Sequence, residues 1–239
     1  MNALRLTFVL PMLAALAIPA RAGEHKVVVE LFTSQGCSSC PPADRLLGEL
    51  TQDKRLLALS LPVDYWDYLG WHDTLAKTAY TRRQRGYSEM RGGHEVFTPQ
   101  VIVNGVAQVV GSDRGGIETA CEKAAKEKQI PVTLRKNGAK IDVEVGGGGN
   151  APASVWLLSV EKAKPVVIGR GENHGKTITY HNVVRNFRKI ADWHGSPVKD
   201  SISVSDVEGD GADMIAVLVQ PGTMDKPGPI RGAAAIDLH

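Results

Sequence analysis

The run Ser34-Gln35-Gly36-Cys37-Ser38-Ser39-Cys40-Pro41-Pro42-Ala43 separates a strand-like segment from a helix-like one. Before this run, residues 26–33 are β-branched and mostly apolar, as in a strand that is buried on both faces. After it, Ala43 and the leucines up to Leu50 recur at helical spacing, and the two prolines fit a first helical turn. The sequence therefore predicts a strand, a loop that carries Cys37, and a helix whose buried face continues from Cys40.

The two cysteines are predicted to differ in role. A thiolate attacks a disulfide, and the free amides at the start of a helix stabilise a nearby negative charge. Cys37, in the loop, is then the exposed nucleophile, and Cys40, on the buried face, resolves the mixed disulfide. Two alternatives stay open at this point, a purely structural disulfide and half of a zinc site. The zinc site lacks a second ligand pair, because the third cysteine, Cys121, stands alone.

The N-terminus has the pattern of a secretory signal. Arg5 precedes a nearly continuous apolar stretch from Leu6 to Ile18, and Ala20-Arg21-Ala22 resembles a cleavage site. The apolar stretch is shorter than the roughly 20 residues of a membrane span. We therefore expect residues 1–22 to be removed and the mature chain to be secreted to the periplasm, without a membrane span.

Charge argues against some classes of partner. The full chain has 28 Lys and Arg residues and 26 Asp and Glu residues, and the signal segment holds two of the basic ones and no acid. The mature chain is thus formally neutral, which does not favour binding to nucleic acid or to a membrane surface.

Composition predicts two domains, residues 23–130 and residues 131–239. The first contains all three cysteines and the helical patterns. After the first strand and helix, its predicted elements are a second strand at 56–63, a helix from Asp73 to about Arg91, a hairpin around Asn104-Gly105 and a last helix at about 117–128. The second contains short β-like runs broken by glycine, which predicts a β-rich, sandwich-like domain. We expect the first part to fold alone.

These patterns resemble two known groups of proteins. A dithiol at the first strand-to-helix junction of this element order is similar to the α/β thioredoxin-like fold, over about residues 24–128. Five runs together resemble the secreted bacterial family called domain of unknown function 1223: Cys37-Ser-Ser-Cys-Pro-Pro-Ala-Asp44, Val63-Asp-Tyr-Trp-Asp67, Phe97-Thr-Pro-Gln100, Gly171-Glu-Asn173 and Tyr180-His-Asn-Val-Val-Arg185.

The resemblance to thioredoxin-like proteins implies roles for three more residues. Thr98 and Pro99 lie where that fold keeps a cis-proline that faces the dithiol and positions substrate. Glu30 lies close to where it buries a carboxylate, which makes Glu30 a possible proton acceptor for Cys40, although an exposed glutamate at a strand end is the alternative.

Other side chains have two interpretations each. Trp66 and Trp71 form either a rim that holds substrate or ordinary packing. His72 and His94 either join the dithiol in a copper site or are solvated loop residues. Cys121 falls on an apolar stripe, which indicates a buried and inert thiol.

The glycine-rich segment 169–177 does not form a phosphate-binding loop. That motif needs a glycine five residues before its Gly-Lys pair, and Arg170 stands there. The sequence as a whole predicts a thiol-disulfide oxidoreductase that acts on the thiols or disulfides of protein partners, with Cys37 and Cys40 at its centre and with neither a cofactor nor a bound metal. Two alternatives are a thioredoxin-like copper carrier and a binding scaffold with a structural disulfide.

Overall fold

The structure is a computed structural model that describes residues 24–25, 27–149, 151–209 and 211–239. The predicted secretory signal, residues 1–22, lies outside the described residues. Within the described part, no helix is long and apolar enough to cross a membrane.

The elements alternate in the first half of the chain and are mainly strands in the second. In chain order they are β1 (Glu24–His25), β2 (Val27–Thr33), α1 (Pro41–Leu50), β3 (Leu56–Pro62), a 3-10 helix (Asp67–Leu69), α2 (Thr78–Met90), β4 (Gln100–Val103), β5 (Ala107–Val110), α3 (Arg114–Ala124), β6 (Val132–Asn137), β7 (Lys140–Val145), β8 (Ala153–Val167), β9 (Thr177–Trp193), β10 (Val198–Ser203), α4 (Ser205–Glu208), β11 (Met214–Gln220), β12 (Gly222–Thr223), β13 (Lys226–Pro227) and β14 (Gly232–Asp237).

A large mixed sheet runs through the molecule in the strand order β1-β14-β11-β8-β9-β3-β2-β4-β5. Strands β2 and β3 are parallel, and β4 and β5 add to them antiparallel. The long antiparallel hairpin of β8 and β9 joins this half at β3, where Ser60 pairs with Val183 in parallel orientation. The sheet is therefore continuous from the first half of the chain into the second.

The two faces of β2 are covered by different helices, because successive side chains of a strand point to opposite faces. Val27, Val29 and Leu31 pack against α1 and α3. Val28 and Phe32 lie on the other face, where Tyr80 and Tyr87 of α2 join the core. This alternation decides which polar side chains can approach the disulfide.

The second half adds a smaller sheet of order β10-β7-β6. Its apolar residues, including Leu134 and Val143, share a core with Leu157 of β8 and Val217 of β11. This part of the chain is therefore β-rich, with the small sheet packed against the large one. The whole is a mixed α/β fold dominated by one sheet.

Several predicted boundaries were wrong. Helix α2 begins at Thr78, not after Asp73. Asp73 does accept hydrogen bonds from the amides of Leu75 and Ala76, but it caps only a turn, because the backbone of Lys77 is extended. Helix α3 begins one turn early, at Arg114, where the Asp113 side chain caps it by accepting from Gly116 N. Strand β9 is 17 residues long, whereas the sequence predicts only short β-like runs in this half of the chain.

The predicted division near residue 130 does not separate two cores. One cluster of buried residues combines Phe32, Leu59 and Leu61 from before that point with Trp156, Leu158 and Leu218 from after it. The sheet also crosses the division through β3 and β9. Whether the first part folds alone stays a prediction, and the shared core is an argument against it.

Candidate functional site

The structure joins Cys37 and Cys40 in a disulfide, with their Cα atoms 5.4 Å apart. Cys37 lies in the disulfide loop, which we define as residues 34–40, and Cys40 is the N-cap residue of α1. Cys37 N donates to Ser34 O, and Cys40 N donates to Cys37 O, so the backbone of this loop is held in a tight turn. The pair lies at the strand-to-helix junction that the sequence predicts.

The two sulfur-bearing residues do not differ in exposure. Cys37 is 1% exposed and Cys40 is fully buried, whereas the sequence predicts an open Cys37. The exposed residues of the loop are Ser38 and Ser39, and Ser39 Oγ lies 3.4 Å from Cys37 Sγ. Cys37 is therefore buried in the oxidised form. Its predicted position in the loop is correct, but its predicted exposure is wrong.

The Thr98–Pro99 peptide bond is cis, as the resemblance implies. It lies beside the disulfide loop, because Ser39 Oγ donates to Thr98 O at 3.4 Å. Trp66 Nε1 donates to Thr98 Oγ1 at 2.8 Å, which fixes the threonine side chain from the other side. The structure thus brings together Cys37, Cys40, Thr98 and Pro99.

Tryptophan 71 supports the disulfide loop through Gln35. Its Nε1 donates to Gln35 Oε1 at 2.8 Å, while Gln35 N donates to Asp73 Oδ2 at 2.8 Å. Gln35 is fully buried. Trp66 and Trp71 are half-buried, and both bond residues that frame the disulfide.

The cap loop, which we define as residues 168–176 between β8 and β9, binds the backbone of the disulfide loop. Asn173 Nδ2 donates to Gln35 O at 3.0 Å and to Cys37 O at 2.8 Å. Lys176 Nζ holds the Asn173 amide by donating to its Oδ1 at 2.8 Å. Asn173 is fully buried, so one side chain from the second half of the chain fastens the disulfide loop.

Sequence reasoning gave Asn173 no role. The Gly171-Glu-Asn173 run is part of the family resemblance, but that resemblance implies no function for it, and polar residues between glycines usually mark a solvated turn. In the structure, Trp71 lies so close to this segment that a Cβ on Gly169 would be 3.0 Å from its ring. That contact depends on the tertiary fold and is not visible in the sequence.

The Glu30 side chain lies on the face of the sheet opposite α1, next to α2. It accepts from Arg83 Nε at 2.8 Å and from the Tyr87 hydroxyl at 2.5 Å, and all three side chains are buried. Arg83 also donates to Gln220 Oε1 of β11. Glu30 is thus neither an exposed strand-end residue nor a neighbour of Cys40 but part of a buried ion pair, a correction to both interpretations.

A different carboxyl group, that of Asp44, is buried on the same side of the sheet as α1. Thr33 Oγ1 donates to Asp44 Oδ1 at 2.7 Å, and Oδ2 has no hydrogen-bond partner among the described residues. Burial raises the pKa of the Asp44 carboxyl to about 8, against the Thr33 hydrogen bond, which lowers it. A buried carboxyl without a cation favours the protonated form.

The histidines that could have held copper do not approach the disulfide as a group. His72 is exposed and bonds Asp67 Oδ2 through Nδ1 at 2.5 Å, and His94 is also exposed. Within the described ranges, no cluster of three or more His, Cys, Asp or Glu residues could hold a metal ion. Cys121 is buried as expected, and burial raises the pKa of its thiol to about 11.

Comparison with known proteins identifies the family. The model of a family described as "Protein of unknown function (DUF1223)" matches residues 28–220. The chain belongs to this family. A search of curated proteins finds no significant match.

Two solved structures are similar to this chain. Protein AGR_C_4864 from Agrobacterium tumefaciens, known from an X-ray crystal structure, is 35% identical, with a TM-score of 0.79 over 90% of this chain and 95% of that one. HBP35 of Porphyromonas gingivalis is 14% identical, with a TM-score of 0.57 over 90% of this chain and 76% of that one. The second likeness is one of fold alone.

Proposed function

We propose that this member of the DUF1223 family is a secreted, periplasmic thiol-disulfide oxidoreductase with a thioredoxin-like first half, acting on thiols or disulfides of protein partners. The observation that carries the proposal is the Cys37–Cys40 disulfide at a strand-to-helix junction beside the cis Thr98–Pro99 bond. The strand order β3-β2-β4-β5, with α1 and α3 on one face and α2 on the other, supports the thioredoxin-like assignment.

The chemistry is a reversible exchange of two electrons. A substrate thiolate attacks Cys37 Sγ, the bond between the two protein sulfurs breaks, and Cys40 leaves with the electron pair. A second substrate thiolate then attacks the substrate sulfur of the mixed disulfide and releases Cys37. The substrate is oxidised to a disulfide and the protein is reduced to a dithiol; the reverse sequence reduces a substrate disulfide.

Trapping of the mixed disulfide tests this function. In Cys40→Ala, an attacking thiol remains without a resolving partner, so mixed disulfides with partner proteins should accumulate severalfold above wild type. Cys37→Ala should trap few mixed disulfides, because Cys40 is buried at the start of α1, whereas Cys37 adjoins the exposed Ser38. Each form is expressed with residues 1–22 present, quenched with acid, alkylated and compared on non-reducing gels.

A matched control is Cys121→Ala, which removes the third thiol and should behave as wild type. Equal trapping by Cys37→Ala and Cys40→Ala would remove the assigned roles. Trapping by neither would contradict an exchange reaction with protein partners.

Burial of both sulfurs favours one competing function, a disulfide that only fastens the loop. The reduction potential separates the two functions, since structural disulfides have values below about −300 mV. A potential measured against glutathione above that range supports the oxidoreductase, and one below it supports the structural role.

A further inference from the structure

Asp44 carries a buried carboxyl group on the disulfide side of the sheet, and the exchange reaction just described leaves it without a role. Asp44 is 2% exposed. Among the described residues, Thr33 is the single hydrogen-bond partner of its carboxyl. A buried carboxylate is costly unless a cation or several donors compensate it. In the part of the chain that the structure describes, no Lys or Arg bonds this carboxyl.

Helix geometry brings Asp44 close to Cys40. Asp44 N donates to Cys40 O at 3.0 Å, so the two residues are one helical turn apart. Residues four apart on a helix have their Cβ atoms roughly 5–6 Å from each other on the same face. Both side chains are buried, so the Asp44 carboxyl and the Cys40 sulfur, which must leave when the disulfide opens, share one buried face of α1.

Among the described residues, the groups that act electrostatically on Asp44 or are affected by it belong to three other parts of the fold, and none of them is a cation. Thr33 ends β2, Asp73 lies in the turn before α2, and Tyr180 belongs to β9. The Asp73 charge raises the pKa of Asp44 further, after the larger effect of burial. Burial raises the pKa of the Tyr180 phenol, followed by the charges of Asp44 and Asp73, and the Tyr180 hydroxyl has no hydrogen-bond partner among the described residues.

These surroundings suit a group that both gives and takes a proton near neutral pH. The best acid-base group has a pKa near the pH at which it works, and burial brings the pKa of Asp44 to about 8. Glu30 cannot serve here, because it lies across the sheet and is bound to Arg83.

Resting on the proposed function, we infer that Asp44 is the proton donor and acceptor for Cys40. When a thiolate attacks Cys37, the sulfur–sulfur bond breaks and Cys40 leaves as a thiolate. The Asp44 carboxyl transfers its proton to that sulfur and becomes a carboxylate. In the reverse step, the carboxylate removes the proton from Cys40, which attacks Cys37 Sγ of the mixed disulfide and expels the substrate thiolate.

The test is the pH dependence of disulfide reduction by dithiothreitol in the full mature chain. The rate constant is divided by the thiolate fraction of dithiothreitol. The pH dependence of the corrected rate constant then comes from the protein and not from the reagent. In wild type this corrected rate constant should fall above about pH 8, where Asp44 loses its proton. In Asp44→Asn it should be on the order of a hundredfold lower at pH 6–7 and show no such fall, because general acid catalysis contributes on the order of 10² or more.

Two further variants sharpen the test. Thr33→Val removes the hydrogen bond that lowers the pKa of Asp44, so the fall should move to higher pH. Asp53→Asn changes a carboxyl beyond the end of α1 that binds Arg55, and its profile should match wild type. If Asp44→Asn does not fold, the wild-type and Thr33→Val profiles and a carbon-13 titration of the Asp44 carboxyl still decide.

The inference is overturned if Asp44→Asn keeps the wild-type profile, or if Asp44 titrates near pH 4 in the oxidised protein. Its failure is distinct from that of the proposed function. If the reduction profile is as expected but no partner is trapped by Cys40→Ala, the Asp44 role stands and the protein-partner function falls. A disulfide that resists excess dithiothreitol in the folded protein overturns both.

Discussion

Two fully buried carboxyl groups on opposite faces of one sheet have opposite electrostatic surroundings. Glu30 receives hydrogen bonds from Arg83 and Tyr87, and the guanidinium lies 5.0 Å from the Tyr87 ring centre and 4.6 Å from that of Phe187. Removing Glu30 would leave a buried and uncompensated cation. The Asp44 carboxyl receives a hydrogen bond from the Thr33 hydroxyl. Protonation removes its charge and so lowers the free-energy cost of burying it.

Asp44 should therefore make the oxidised protein less stable as pH rises. In the unfolded chain this carboxyl ionises near 3.8, and in the folded chain at about 8. Between these values the folded state holds a proton that the unfolded state has released, so the free energy of unfolding falls with increasing pH, by up to about 1.4 kcal/mol per pH unit. Asp44→Asn should lack this slope and be more stable than wild type by a few kcal/mol at pH 8.

Urea unfolding of the oxidised proteins at several pH values between 4 and 8 measures this difference. Asp53→Asn again serves as the control, because Asp53 is at the surface. Parallel curves for wild type and Asp44→Asn would mean that Asp44 is ionised in the folded protein.

At the residue scale, the sequence predicts positions better than partners. The spacing of Cys37 and Cys40 and the likeness around Thr98-Pro99 indicated the residues that the structure brings together. Glu30 was assigned by its place in the sequence, but the alternation of β2 turns it away from α1. Its actual partner, Arg83, is 53 residues away in the chain, and local patterns carry no information about such a pairing.

At the element scale, the hairpin of β8 and β9 decides how the site is closed. The sequence predicts several short strands where the structure has two long ones, because Asn182 interrupts the alternation with a φ of 46° and bulges shift the register near Val155 and Ser159. Asn182 also binds the first half of the chain, through Nδ2 to Ala58 O at 2.8 Å. These irregularities hide the continuous strand from any period-two pattern.

Asn173→Ala should make the disulfide more accessible. The change removes both hydrogen bonds by which the cap loop holds Gln35 O and Cys37 O, and losing about 1.4 kcal/mol of closure would raise the open population about tenfold. The expected result is a roughly tenfold faster reduction by glutathione at pH 7, with unchanged pH dependence.

Asn137→Ala is the matched control, since the Asn137 side chain bonds Asp142 at the exposed end of the β6–β7 hairpin, and its rate should equal that of wild type. An unchanged rate in Asn173→Ala would show that the cap loop does not limit access. A lower rate would show that Asn173 helps the reaction directly.

At the scale of the whole molecule, the second half of the chain completes the core of the first. Strand β9 pairs with β3, and Gly48 of α1 lies against His181 so closely that a Cβ would be 2.6 Å from the imidazole ring. Composition correctly indicated a β-rich second half, but it could not reveal that β8, β9, β11 and β14 extend the same sheet. Strand pairing between distant segments leaves little trace in composition or in local periodicity.

A fragment that ends at residue 130 should therefore not reach a stable fold, contrary to the expectation from element order alone. It would expose Phe32, Leu59 and Leu61, which in the whole chain pack against Trp156, Leu158 and Leu218. Burial of each such side chain contributes roughly 1.5–3 kcal/mol, and a domain has only about 5–15 kcal/mol in total. Residues 23–130 should show little near-ultraviolet circular dichroism and no cooperative urea transition, while residues 23–239 unfold in one transition.

A control fragment from 23 to 220 retains β8, β9 and β11 and should keep more tertiary signal than 23–130. A stable and cooperative fragment 23–130 would restore the division into two independent domains.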